Sequence, residues 1–125
     1  MRYLLDVNAL LAAIIANHPS HTTADAWVRN KDLVTCPLSE LGFLRISTNS
    51  KAYGYSMNLA RQALQGFISS NQVGFIAADL PAIASIASKS DQVTDCYLAE
   101  LADRARMKLA TLDSSIKHSA AELIF

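Results

Sequence analysis

Four of the eleven acidic side chains stand at positions from which they could share a divalent cation. Asp6 ends a short apolar run, Tyr3-Leu4-Leu5, and Asp113 ends another, Leu109-Ala110-Thr111-Leu112. Glu40 lies just past a third run, Leu33-Val34-Thr35-Cys36, where Pro37-Leu38-Ser39-Glu40 opens a helix. Asp95 begins a helical stretch that leads into the run closed by Asp113. Open parallel sheets bind ligands beyond the carboxyl ends of their strands. The four acids therefore meet on one rim if the strands carrying Asp6 and Asp113 are neighbours. Such a cluster resists ionisation, because each carboxylate disfavours the charge of the next. Hard divalent cations remove that penalty, and oxygen-only ligands with water suit Mg²⁺ or Mn²⁺. An ion held with open coordination positions orients a water, lowers its pKa and stabilises charge on a phosphodiester. No serine–histidine or cysteine–histidine pairing follows from the spacing, which argues against covalent catalysis.

Each acid also has an ordinary explanation. Asp113 can cap a helix or join a surface ion pair, and Asp95 can serve as a first-turn helix acid. Asp6 is harder to explain that way, since a carboxylate between Leu5 and Val7 in a central strand is expensive unless it binds something. Asn8 and Ser39 flank the first two acids and either support the carboxylates by hydrogen bonds or cap helices. Ser115 either contacts phosphate or caps a short final helix. Arg45 and Lys51 follow Glu40 and either hold substrate phosphates near the site or remain solvated. His18, His21 and His118 lack partners at metal-binding spacing and read as loop or surface residues.

The elements that must position these residues alternate short apolar runs with longer helical ones, which argues for a parallel sheet covered by helices. Tyr3-Leu4-Leu5 is a central strand, continuously apolar as buried parallel strands are. A helix capped by Asn8 carries Leu10, Leu11, Ile14 and Ile15 and stops at Asn17-His18-Pro19. A second helix runs from about Thr22 to Arg29 with Ala26 and Trp27 inward. The helix opened by Pro37 makes its apolar contacts through Leu41, Leu44 and Ile46, and Met57 to Ile68 forms another. Val73-Gly74-Phe75-Ile76 is the third strand, and Leu80 to Ala87 a short helix begun by Pro81. The helix from Thr94 or Asp95 to Arg106 buries Tyr97, Leu98, Leu101, Ala102 and Ala105. Glu122-Leu123-Ile124-Phe125 is a candidate last edge strand.

Composition bounds the rest. The 125 residues fit one domain over 1–125. A 51% hydrophobic content supports a buried core. Eleven basic residues balance eleven acidic ones, which weighs against a passive nucleic-acid-binding module but not against an enzyme that carries cations. Cys36 and Cys96 form neither a disulfide framework nor a zinc pattern and suit a reducing cytosol. The apolar N-terminal stretch is broken by Asp6 and Asn8, so it reads as strand and helix rather than leader or membrane span. A cytoplasmic protein is expected.

The segments LLDVNALLA, PLSELGFLRI, VTDCYLAELA and LATLD, in that order, resemble the PIN-domain nucleases, specifically the VapC-type toxins of bacterial toxin–antitoxin pairs. The resemblance spans nearly the whole chain. It implies an α/β fold, a three-layer α/β/α sandwich around a central, mostly parallel sheet of four to five strands. It also implies a Mg²⁺- or Mn²⁺-dependent endoribonuclease, with Asp6 and Asp95 as principal ligands and Glu40 and Asp113 completing the shell, partly through water. A homodimer, a VapB-like antitoxin, and structured or transfer RNA as substrate follow from the same likeness. Two departures stand out. Nothing between the third strand and Asp95 matches a family motif, and Arg104-Ala105-Arg106-Met107-Lys108 lacks the glycine expected before the last catalytic strand. A catalytically silent PIN-like binding module is the main alternative. A haloacid-dehalogenase-like phosphatase would need a second aspartate where Asn8 stands, and a receiver domain would need a paired acid and a late lysine.

Overall fold

The structure is a computed structural model that describes residues 1–124. Its sheet is built on β1 (Arg2–Leu5), whose Leu4 and Leu5 are fully buried. Strands β2 (Asp32–Thr35), β3 (Gly74–Phe75), β4 (Lys108–Thr111) and β5 (Ala121–Leu123) complete it in the order β3-β2-β1-β4-β5, all parallel. Leu4 is in register with Val34 on one side and Leu109 on the other. The central position of β1 is as the sequence predicts, and its pairing with β4 meets the condition under which Asp6 and Asp113 share a rim. The expected last strand is present as β5, while Phe125 lies outside the described residues.

Side chains alternate across a strand, and here the alternation divides two cores. Leu4, Val34 and Leu109 pack with Tyr97, Leu98 and Leu101 of α5 (Val93–Arg104). Leu5, Leu33 and Ala110 face the other way, onto α1 (Val7–Ile14), α2 (His21–Val28), Phe43 of α3 (Pro37–Ser47) and α4 (Met57–Ser70). The result is a three-layer α/β/α sandwich. Among the described residues no helix is long and apolar enough to cross a membrane.

Several local expectations are corrected. Helix α1 is capped by Asp6 and not by Asn8, because the Asp6 Oδ1 accepts the Ala9 N–H at 2.7 Å. In α2 the buried residues are Ala24 and Val28; Ala26 is exposed. In α3 the fully buried apolar side chain is Phe43, whereas Leu41 is 61% exposed. Gly42 sets that rotation: α3 crosses so close to α1 that a Cβ there would run into the Val7 side chain. Burying Phe43 contributes roughly 2–3 kcal/mol, enough to fix the phase of the helix. Ala105, expected inward, is exposed. The expected strand at 73–76 shrinks to Gly74–Phe75.

The helix expected over Leu80–Ala87 is only a 3₁₀ turn, Ala82–Ala84. Its bonds run from Ala84 N–H to the Pro81 carbonyl and from Ser85 N–H to the Ala82 carbonyl, three residues apart. Ile83 and Ile86 face solvent, so no apolar stripe exists to hold a longer helix against the core. The Ser85 hydroxyl instead donates to the Val93 carbonyl at 2.7 Å and ties this segment to the start of α5.

The missing glycine before β4 has a structural counterpart. Helix α5 ends in a paired cap: Met107 N–H donates to the Ala102 carbonyl and Arg106 N–H to the Asp103 carbonyl. This cap requires a left-handed residue and favours glycine. Arg106 fills it at φ 60°.

Candidate active site

Asp6 leaves β1 at its carboxyl end and is 1% exposed. Its N–H continues the ladder to the Ala110 carbonyl at 3.1 Å, and its carboxylate caps α1. One residue therefore joins the central strand, its neighbour β4 and the first helix. Burial pushes the Asp6 carboxyl up to about 7. The Thr111 hydroxyl and the Ala9 amide favour the charged form against that, while the charges of Asp95 and Asp113 raise it further.

Asp95 and Asp113 belong to the same neighbourhood. Asp95, in the first turn of α5, is raised by burial and then by the charge of Asp113. Asp113 follows β4 and is lowered by its hydrogen bonds with Ser115, since the Oδ1 accepts from the hydroxyl at 2.6 Å and from the backbone N–H at 2.8 Å. The Ser115 hydroxyl in turn accepts from the Gln92 side chain at 2.9 Å, linking the loop after β4 to the turn before α5. Ser115 thus fixes Asp113.

Glu40 lies in the first turn of α3, and its Oε2 accepts the Thr35 hydroxyl at 2.6 Å. Ser39 is fully buried and donates to the Leu5 carbonyl at 2.6 Å, not to an acid. That bond pins the start of α3 to the residue before Asp6. Asn8 points outward, with its Oδ1 against His18 Nε2 at 3.0 Å. His18 and His21 are structural as well. Burial and then the neighbouring His21 lower the His18 pKa, and His21 Nδ1 lies 2.7 Å from the Ala12 carbonyl. His118 pairs with Glu100 at 3.1 Å.

Two residues of this arrangement escaped the sequence reading, Thr35 and Thr111. Both are 1% exposed and sit last on neighbouring strands of β1. Thr35 holds Glu40; Thr111 faces Asp6, and its Oγ1 also accepts the Asp113 N–H at 3.0 Å. The sequence carried no signal for them, since threonine is common in strands and they stand five residues before Glu40 and two before Asp113.

Carboxylates supply hard oxygen donors, which suit Mg²⁺ or Mn²⁺ better than softer metals. Among the described residues no three Asp, Glu, His or Cys side chains are drawn into a ready-made cage. The chain offers instead an open rim around one buried acid. That fits Mg²⁺ in particular, which keeps several waters and takes only one or two carboxylates. Without a cation, a proton is the available counter-charge for Asp6 near neutrality.

Comparison with known proteins gives a consistent picture. The model of the PIN domain family matches residues 3–122. The chain is 33% identical to "Ribonuclease VapC39" of Mycobacterium tuberculosis, covering 97% of this chain and 95% of that protein. It is 35% identical to "Ribonuclease VapC38" of the same organism, over 90% of this chain and 86% of the relative. Among solved structures, a chain of VapBC2 from Rickettsia felis bound to a promoter DNA fragment superposes with a TM-score of 0.61. The match covers 98% of this chain and 97% of that one at 14% identity, a likeness of fold.

Proposed function

The chain belongs to the PIN domain family, and on that premise we propose that it is a Mg²⁺- or Mn²⁺-dependent endoribonuclease, the toxin of a type II toxin–antitoxin pair. The observation that carries the reading is the buried Asp6 carboxyl at the end of the central strand, with Asp95 and Asp113 close enough to raise its pKa. Metal-dependent hydrolysis gives that costly arrangement a purpose.

In this reading Asp6 and Asp95 are the principal ligands, and Glu40 and Asp113 complete the shell. An ion held there would supply positive charge to polarise the phosphodiester and acidify a water. The chain's own residues supply geometry. Helix α1 holds one Asp6 oxygen through the Ala9 amide, so the carboxylate cannot rotate freely. Ser115 orients Asp113, Thr35 orients Glu40, and Thr111 steadies Asp6 and the backbone of Asp113 together. Such supporting bonds typically carry 10–100-fold in metal affinity or activity. The remaining parts of the proposal are a single PIN-like nuclease domain over 1–125, a cytoplasmic site of action, RNA (structured or transfer RNA) as substrate, a homodimeric state and inhibition by a VapB-like antitoxin.

The test is incubation with total cellular RNA and Mn²⁺, with and without EDTA, followed by mapping of new 5′ ends. Discrete cuts that need the metal and vanish in Asp6→Asn support the proposal. Wild-type protein that leaves RNA intact with Mn²⁺ present refutes it and favours a silent binding module.

A further inference from the structure

Beside the acidic rim lies a hollow of about 340 Å³ lined by Val7, Leu38, Leu41, Gly42, Arg45 and Thr94. Three of these residues are chain neighbours of the candidate ligands: Val7 follows Asp6, Leu41 follows Glu40 and Thr94 precedes Asp95. Leu38, Leu41, Gly42 and Arg45 are three, four and seven residues apart and share one face of α3. The starts of α1 and α5 form the other walls.

The chemistry of the lining is specific. Its walls are aliphatic, and no acid lines it. Its one charge is the Arg45 guanidinium, which makes no ion pair or side-chain hydrogen bond among the described residues. Arg2, Arg29 and Arg104 all pair with acids. Leu41 is 61% exposed, an apolar side chain left without a cover beside the rim. A phosphate gains nothing from aliphatic walls, whereas a flat heteroaromatic ring gains from both the walls and the donor. Arginine presents a fork of donors that matches the paired O6 and N7 acceptors of guanine. Sequence-specific RNA recognition acts mainly on unpaired bases that can be splayed into such sites.

We infer that this hollow is a nucleobase pocket for the nucleotide flanking the scissile phosphate, with Arg45 reading the acceptor edge of an unpaired guanine. The inference rests on the ribonuclease reading and adds its sequence preference. Val7, Leu38 and Leu41 cover the ring, and Arg45 selects it.

The test uses short single-stranded RNAs spanning one mapped cut, varied at each position beside it, including 7-deazaguanosine, which lacks the N7 acceptor. Wild type is expected to favour guanosine at one flanking position by on the order of tenfold. Replacing that guanosine with 7-deazaguanosine should erase much of the preference. Arg45→Met should abolish it and should not distinguish the two purines. Leu41→Ala, which leaves the charge in place, should weaken the preference partially. An even loss of rate on all sequences with the preference intact would make Arg45 a phosphate contact and overturn the inference. So would unchanged cleavage by Arg45→Met accompanied by loss of binding to a partner protein. Wild type that cuts none of the RNAs overturns the ribonuclease reading together with this one; cutting with equal preferences in wild type and Arg45→Met overturns this one alone.

Discussion

Replacing Asp6 with asparagine should make the metal-free protein more stable while destroying its activity. Asn is nearly isosteric and is itself a good helix cap, so the bond from the Ala9 amide survives. What disappears is the cost of a buried charge. The Asp6 carboxyl is raised from 3.8 to about 7 in the folded state, chiefly by burial. The direction follows from linkage: between those values the unfolded chain releases its proton and the folded one keeps it, so stability falls as pH rises and levels off above about 7. The difference corresponds to at most about 4 kcal/mol at pH 8. Relaxation and water penetration reduce such penalties, so a gain of about 2 kcal/mol is expected for Asp6→Asn. For a chain of this size that is about 8 °C in Tm. The assay is thermal unfolding of both proteins in EDTA from pH 5 to pH 8.5. The gap between them should be less than half its full size at pH 5, widen through neutrality and then hold constant. Parallel pH profiles, or an Asp6→Asn protein less stable than wild type at pH 8, would refute the reasoning.

The other expectations are smaller in scope. Millimolar Mg²⁺ or Mn²⁺ at pH 8 should raise the Tm of wild type and barely change that of Asp6→Asn, since binding to the native state alone stabilises it; equal shifts would remove Asp6 from the metal site. Arg106→Gly should stabilise the protein by about 1 kcal/mol by relieving a left-handed backbone, read as a higher denaturation midpoint. Thr35→Val and Ser115→Ala should each reduce Mn²⁺-dependent cleavage about 10–100-fold, with circular dichroism unchanged. Induced expression should arrest growth, and co-expression of the cognate antitoxin should relieve the arrest; active protein that leaves growth unaffected would contradict the toxin role.

The layout of the sheet was legible because parallel strands buried on both faces leave unbroken apolar runs. Acids directly after Leu5 and Leu112 marked where two of those runs end. The closeness of Asp6 and Asp113 follows from the pairing of β1 with β4, which the sequence left as a condition and the structure meets. Glu40 and Asp95 were placed through their helix starts. The supporting hydroxyls were not legible, because Thr35 and Thr111 are ordinary strand formers until the structure shows them facing acids. Helix phase was misread in α3, where Leu41 and Phe43 compete for the inward position and a tertiary contact at Gly42 decides. The 80–87 segment was misread because Pro81 suits a first helical turn, yet Ile83 and Ile86 find nothing to pack against. Arg106 is a case where the tertiary fold imposes the left-handed turn that sequence alone would assign only to glycine.

The central physical claim is that negative side chains remote in sequence share a doubly charged ion at the carboxyl end of the sheet. Anomalous scattering from crystals of the protein grown with Mn²⁺ tests it directly. The expected result is a manganese peak bounded by carboxylate oxygens of Asp6 and Asp95, with Asp113 or Glu40 reached directly or through water. Well-ordered crystals with no peak on that rim, or with manganese bound only elsewhere, would contradict it.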